Sequence, residues 1–284
     1  MRSGVLSRAL VAFLALAMLV LPAAVFAQPR EGKTSGGIAY DVQGAGPVVV
    51  LLTGSNLDRR MWDREATSLA RAYTVVRYDL RAHGKSDTAT APFSHLGDLA
   101  VLLDELKIAK ASLVGLSAGS TIALDAALQM PDRVERIVLA GPSIGGYVSK
   151  QRLPFIDALM AAFKTGDYQK VSEVLLTTSV FAAPADSQAI VRQMVMENDR
   201  MWTIDRKLML PAPQPAIDRL ELVTVPALIL VGDKDEFQGE HADILAKRVP
   251  GATLVRVPGG GHLLNLTSPQ AFDAAVSSFL SGKR

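Results

Sequence analysis

The sequence predicts an α/β protein: a mostly parallel central sheet with helices on both faces and a helical segment inserted late in the sheet. Three observations predict it. Short apolar runs dense in Val, Leu and Ile alternate with stretches whose apolar residues recur at helical spacing. Runs such as 48–52 and 227–231 are apolar at every position, as strands buried on both faces of a parallel sheet must be. The alternation stops near Gly145 and resumes after about Leu220, so a separate helical unit interrupts it.

Taken in order, residues 1–27 read as a signal peptide. Arg2 and Arg8 form a positive n-region, residues 9–21 are unbroken apolar sequence, Pro22 breaks the run, and Val25-Phe26-Ala27 offers small residues for cleavage after Ala27. The chain is therefore expected to be exported, periplasmic or secreted. The alternative is a retained membrane anchor, because apolar character continues to Ala27. Arg2 and Arg8 are also the only charged residues before Gln28; without them basic and acidic residues balance, which leaves no nucleic-acid footprint. The sequence contains no cysteine, so disulfides, thiolate metal sites and a lipid-anchored N-terminus are excluded.

Residues 28–36 are polar and glycine-containing, and a flexible mature start is expected there. Strands are expected at 38–42, 48–52 and 73–78, then a helix capped by Ser94 with Leu96, Leu99, Leu103 and Leu106 on one face. The strand at 113–114, a helix at 121–128 and the strand at 137–140 follow. Residues 37–143 and 221–284 form the expected core, and 144–220 a helical cap over the sheet's C-terminal edge, where open α/β sheets bind ligands. Within the cap, 155–163 and 171–176 look helical, and Met160, Phe163, Met194, Met196, Met201, Trp202 and Met209 together suit an apolar pocket lining. Strands at 227–231 and 253–257 and a helix at 269–280 complete the core.

The chemistry centres on Gly115-Leu116-Ser117-Ala118-Gly119, placed between a strand and a helix. G-x-S-x-G in that context makes a sharp turn that lifts the serine hydroxyl clear, beside N–H groups of the helix start. Side chains two positions either side would collide with the neighbouring strand and helix. A serine needs a base, and the base needs a carboxylate to hold its tautomer. Of the four histidines, His262 ends the glycine run 258–261 after the last strand and is the expected base. His241 reads as a solvated surface residue beside Glu240, His95 as a helix start and His83 as a loop residue. The acid comes from Gly232-Asp233-Lys234-Asp235-Glu236: Asp235 is the choice and Asp233 the alternate, one of the two shaping the turn.

The order Ser117, Asp235, His262 resembles that of α/β-hydrolases, in the capped branch of esterases, enol-lactonases and cofactor-free haloperoxidases. Three stretches share the resemblance, which covers about residues 37 to 282. Leu51-Leu52-Thr53-Gly54-Ser55-Asn56, with 59–63 behind it, resembles the family's oxyanion loop. Residues 78–86 resemble its D-x-R-G-x-G-x-S loop, and 130–134 its Pro-Glu-Arg-Val. The chain departs in having Thr53 for the usual His, Ser120 for a second elbow glycine, and Ala82 for a glycine; Thr53 is expected to hydrogen-bond neighbouring loops instead.

The resemblance implies cleavage of a small, largely apolar ester or lactone through an acyl-enzyme. The backbone N–H groups of Ser55 and Ala118 would form the oxyanion hole, and Asn56, Leu116, Met160, Phe163 and Trp202 would line the substrate site. It implies no cofactor, metal, nucleic acid or, after signal cleavage, membrane. Alternatives are a C–C hydrolase, amidase or iminopeptidase with the same triad, or a non-catalytic hydrolase-like binding protein.

Overall fold

A computed structural model describes residues 29–149 and 153–282. The expected signal segment lies outside them. The strands are β1 (Arg30–Lys33), β2 (Ala39–Gln43), β3 (Val48–Leu52), β4 (Thr74–Tyr78), β5 (Ala111–Leu116), β6 (Val134–Ala140), β7 (Ala227–Gly232) and β8 (Thr253–Val257). They form one sheet in the order β1-β2-β4-β3-β5-β6-β7-β8, parallel from β4 to β8 and antiparallel at the β1 and β2 edge.

Alternate residues of each strand feed two cores. Val50 and Leu52 of β3 face one side, with Leu113, Ile137 and Ile229; helices α2 (His95–Glu105), α3 (Ala118–Gln129) and α7 (Gly239–Arg248) cover it through Leu99, Ala127 and Leu245. Val49 and Leu51 face the other, with Val114, Val138 and Leu230; α1 (Asp63–Leu69), α8 (Leu264–Thr267) and α9 (Pro269–Leu280) cover it through Ala66, Leu264 and Phe272. Burial on both faces is what made these strands visible as continuous apolar runs.

Between β6 and β7 the chain makes α4 (Ile156–Lys164), α5 (Tyr168–Leu176) and α6 (Ala185–Glu197), then short 3-10 turns such as Asp199–Thr203. Leu175, Val191, Met194 and Val195 are buried and pack together, which amphipathic helices need to fold on one another. Met194 is thus packing for this segment and not exposed to a ligand.

Two expectations need correction. Arg30–Lys33 is an edge strand paired with β2, not a flexible start. Thr34 closes the turn by accepting the Gly37 N–H, and Glu31 and Lys33 pair with Lys85 and Asp87 at 2.9 and 2.8 Å. A polar edge strand carries no apolar run, so hydropathy alone could not show it. His241 is buried, not solvated: its Nδ1 accepts the Ile144 N–H at 3.2 Å, and its ring packs edge-on against Tyr147.

Candidate active site

The turn between β5 and α3 carries Ser117 in strained backbone, with φ 54° and ψ −115°. A Cβ at Gly115 would collide with the Gly119 carbonyl, and one at Gly119 with the Leu52 carbonyl of β3, so the spacing of the two glycines is steric. The Ser117 N–H donates to Ala140 O at the end of β6 at 2.9 Å. Ser120 does more than replace a glycine. Its hydroxyl donates to Ser117 O at 2.6 Å and accepts from Ser143 N–H at 3.1 Å, tying the turn to the segment after β6. Ser117 itself stays half-exposed above a buried strand.

The loops after β7 and β8 are in backbone contact, because a Cβ at Gly232 would collide with Gly260 O. The two aspartates of the first loop have different partners. Asp233 accepts the Gly259 N–H at 2.7 Å and pins the glycine-rich loop. Asp235 lies with Oδ2 2.8 Å from His262 Nδ1, both side chains buried, and its Oδ1 accepts the Phe237 N–H at 3.3 Å. A carboxylate only accepts, so Nδ1 carries the proton and Nε2 is the basic nitrogen. Gly141 floors the ring: a Cβ there would sit 3.0 Å from His262 Nδ1, and its φ of +48° favours glycine. Consecutive residues Ala140 and Gly141 thus hold Ser117 on one side and His262 on the other.

The loop after β3 passes over the serine, since a Cβ at Gly54 would lie 3.5 Å from Ser117 Cβ. Among the described residues, neither the Ser55 nor the Ala118 N–H donates to a protein acceptor. The next residue, Asn56, has φ 62°, and its N–H donates to His83 Nε2 at 3.1 Å. His83 Nδ1 lies 2.9 Å from Arg81 O, so Nδ1 carries the hydrogen and the ring is neutral. Burial pushes the His83 pKa down to about 4. Thr53 does not take the bonding role expected of it: its buried hydroxyl has no partner, and His83 supports the loop instead.

Two further side chains lock this loop. Asp79 accepts the Arg59 and Lys85 N–H groups, each at 2.9 Å, joining the oxyanion-type loop to the loop after β4. Burial pushes the Asp79 carboxyl above its usual range, against these two hydrogen bonds. Asn198, buried in the inserted segment, accepts the Gly84 N–H at 2.7 Å and donates to Asn56 O at 3.3 Å and Asp58 Oδ2 at 3.1 Å. Asp79 is the first residue of the D-x-R-G-x-G-x-S-like loop, whose bracing role the sequence did not give, whereas Asn198 carries no motif at all.

Asn56, Leu116, Met160, Phe163 and Trp202 do not line the cleft beside the nucleophile turn, whereas Met209 does. Leu116 is buried beneath Gly54, and Asn56 is buried with its N–H and carbonyl both used by the loop brace. Phe163 and Trp202 pack edge-to-face at 5.0 Å, and Met160 is 52% exposed on α4. The cavity that opens beside the nucleophile turn is elsewhere. It is a cleft of about 320 Å³ that starts at Ser55 and Ala118 and runs along α3, walled opposite by Met209 and Leu210.

A strained serine at a strand-to-helix turn, beside a buried His–Asp pair at the C-terminal ends of a parallel sheet, defines an α/β-hydrolase site. The Alpha/beta hydrolase family model matches residues 49–275, and this chain is an enzyme of that family. RutD of Caulobacter vibrioides, named provisionally as a carbamate hydrolase, is 31% identical over 269 residues, covering 88% of this chain and 97% of its own. The rhodomycin D methylesterase DauP of Streptomyces sp. strain C5 is 28% identical, over 80% of this chain and 89% of its own. The enol-lactonase of Burkholderia xenovorans LB400 superposes with a TM-score of 0.73 over 89% of this chain and all of its own; at 24% identity that likeness is one of fold.

Proposed function

We propose that this chain is a serine hydrolase that cleaves a small carboxylic ester or lactone through an acyl-enzyme on Ser117. The observation that carries the reading is the buried 2.8 Å contact between His262 Nδ1 and Asp235 Oδ2, which leaves a basic Nε2 on the ring that Gly141 floors beside the Ser117 turn. The methylesterase among the similar proteins supports it.

In the first half-reaction His262 Nε2 takes the Ser117 hydroxyl proton as Oγ attacks the carbonyl carbon. The Ser55 and Ala118 N–H groups, having no protein acceptor, receive the oxyanion. The tetrahedral centre collapses, the C–O bond to the leaving group breaks, and His262 returns its proton to the alkoxide. In the second half His262 deprotonates a water, which attacks the acyl carbon. Ser117 leaves with the proton, and the acid is released. Asp235 stays ionised and holds the imidazole orientation throughout.

A carbamate presents the same carbonyl to the same serine, and the 31% identity to RutD makes it the second reading. Hydrolysis of p-nitrophenyl esters of increasing chain length, with lactones and a carbamate alongside, ranks these bonds by kcat/KM. Esters or lactones should lead; a carbamate leading would move the assignment. Residues 1–27 are proposed to direct export, so the exported protein should begin at Gln28 by intact mass.

A further inference from the structure

The cleft beside the nucleophile turn has a chemically distinct far end. Its near end is formed by Ser55 and Ala118, its wall by Ile122 and Met209, and its far end by Asp125 and Gln129 of α3. Ala118, Ile122, Asp125 and Gln129 are spaced by three or four residues, so one face of α3 forms its length. Helix rise puts Asp125 about 10 Å beyond the oxyanion donors. The Asp125 carboxylate is half-buried, and among the described residues no group donates a hydrogen bond to it. A half-buried carboxylate in a cleft normally has a donor, so this one has room for a donor brought by a ligand.

The groups around it point the same way. Burial raises the Asp125 carboxyl to about 6, and it remains ionised at slightly alkaline pH. Arg219 is the nearby cation and acts on Asp125 through its charge alone: its Nη2 donates to Leu128 O at 3.2 Å, and it makes no hydrogen bond to the carboxylate. His95, on the facing wall of the cleft, is kept neutral by burial and contributes no charge. Between the oxyanion donors and Asp125 the cleft offers apolar surface from Leu96, Ile122, Met209 and Leu210, with Ser94 and His95 among the polar groups beside it.

We propose that Asp125 is a specificity residue: the cleft takes the arm of a substrate that carries an ammonium group about 10 Å from the scissile carbonyl. The apolar wall takes the methylene chain between them. This rests on Ser117 being the nucleophile, since that fixes which end of the cleft holds the carbonyl.

The test compares p-nitrophenyl 8-aminooctanoate with p-nitrophenyl nonanoate, in which a methyl replaces the ammonium, and 6-aminohexyl acetate with heptyl acetate, so that either arm places the ammonium about 10 Å from the carbonyl. The first pair reads the acyl arm and the second the alcohol arm. In one pair, Asp125→Asn should lower the ammonium-to-neutral ratio of kcat/KM by about tenfold while the neutral ester changes by less than about twofold. The preference should shrink as salt is added. An unchanged ratio in both pairs, or equal losses on charged and neutral esters, overturns the proposal while leaving the Ser117 reading intact. Loss of all turnover in the wild-type enzyme tells against Ser117 instead. The cleft can then still be read by NMR titration with 6-aminohexan-1-ol: weaker binding to Asp125→Asn supports the proposal, and identical binding rejects it.

Discussion

His83 Nε2 accepts the backbone N–H of Asn56 at 3.1 Å, one residue after the Ser55 N–H that would face the oxyanion. The bond works only for the neutral ring, because a protonated Nε2 has no lone pair to offer. It also holds Asn56 in its left-handed backbone, a conformation asparagine tolerates better than most residues.

Acid should therefore weaken the fold through this residue. The folded pKa of about 4 lies below the ordinary 6.5, so the unfolded chain takes up the proton first. Stability is full above about 6.5, falls as pH drops toward about 4, and levels off below, with a loss of about 3 kcal/mol across the window. Urea unfolding of wild type and His83→Gln across that range checks it. Glutamine can accept the same N–H without titrating, so the difference between the two curves should vanish at neutral pH and grow on acidification.

Asn198 couples the inserted helices to the same loop. Asn198→Ala would strand the Gly84 N–H and withdraw a donor from Asp58, at a cost of about 2–3 kcal/mol. The activity loss should fall on kcat more than on KM, because the loop presents a donor to the transition state. A loss confined to KM would mean that the segment only shapes substrate binding.

The aspartates should separate clearly. Asp235→Asn replaces the acceptor that fixes the His262 tautomer and should lower kcat by about 10³–10⁴. Asp233→Asn removes only the clasp on Gly259 and should cost activity about threefold or less, with a small loss of stability. Steady-state kinetics on one ester decides it; equal losses would show that the carboxylates share the work.

Gly141→Ala tests the floor beneath His262. An L-residue at φ +48° costs about 1–2 kcal/mol, and its methyl would meet the imidazole at 3.0 Å. Both stability and kcat should fall. Wild-type kcat with lowered stability would mean that the ring position is not critical.

The sheet was legible because buried parallel strands are apolar at every position, as 48–52 and 227–231 are. The candidate residues Ser117, Asp235 and His262 drew attention for a different reason: each follows a strand end, and sharp turns and loops of approach need glycine, which leaves a mark in sequence. Asp235 was the choice over Asp233 although both sit in one turn, and tertiary contact now gives each its partner: Asp235 meets His262 and Asp233 the Gly259 N–H. Asn198 was invisible, since a buried asparagine 142 residues from its partner has no local pattern. Of the apolar residues expected to line a pocket, Met209 walls the cleft, while Phe163 and Trp202 pack on each other, since large apolar side chains in a helical segment do that as readily as they line a cleft.

Ser117 as the acylated nucleophile is the claim on which the rest depends. Intact-protein mass spectrometry after treatment with a fluorophosphonate, followed by peptide mapping, reads it directly. A single adduct on Ser117, absent in Ser117→Ala and strongly slowed in His262→Ala, is the predicted result. Folded wild-type protein that remains unlabelled, or that carries its adduct on another serine, would contradict it.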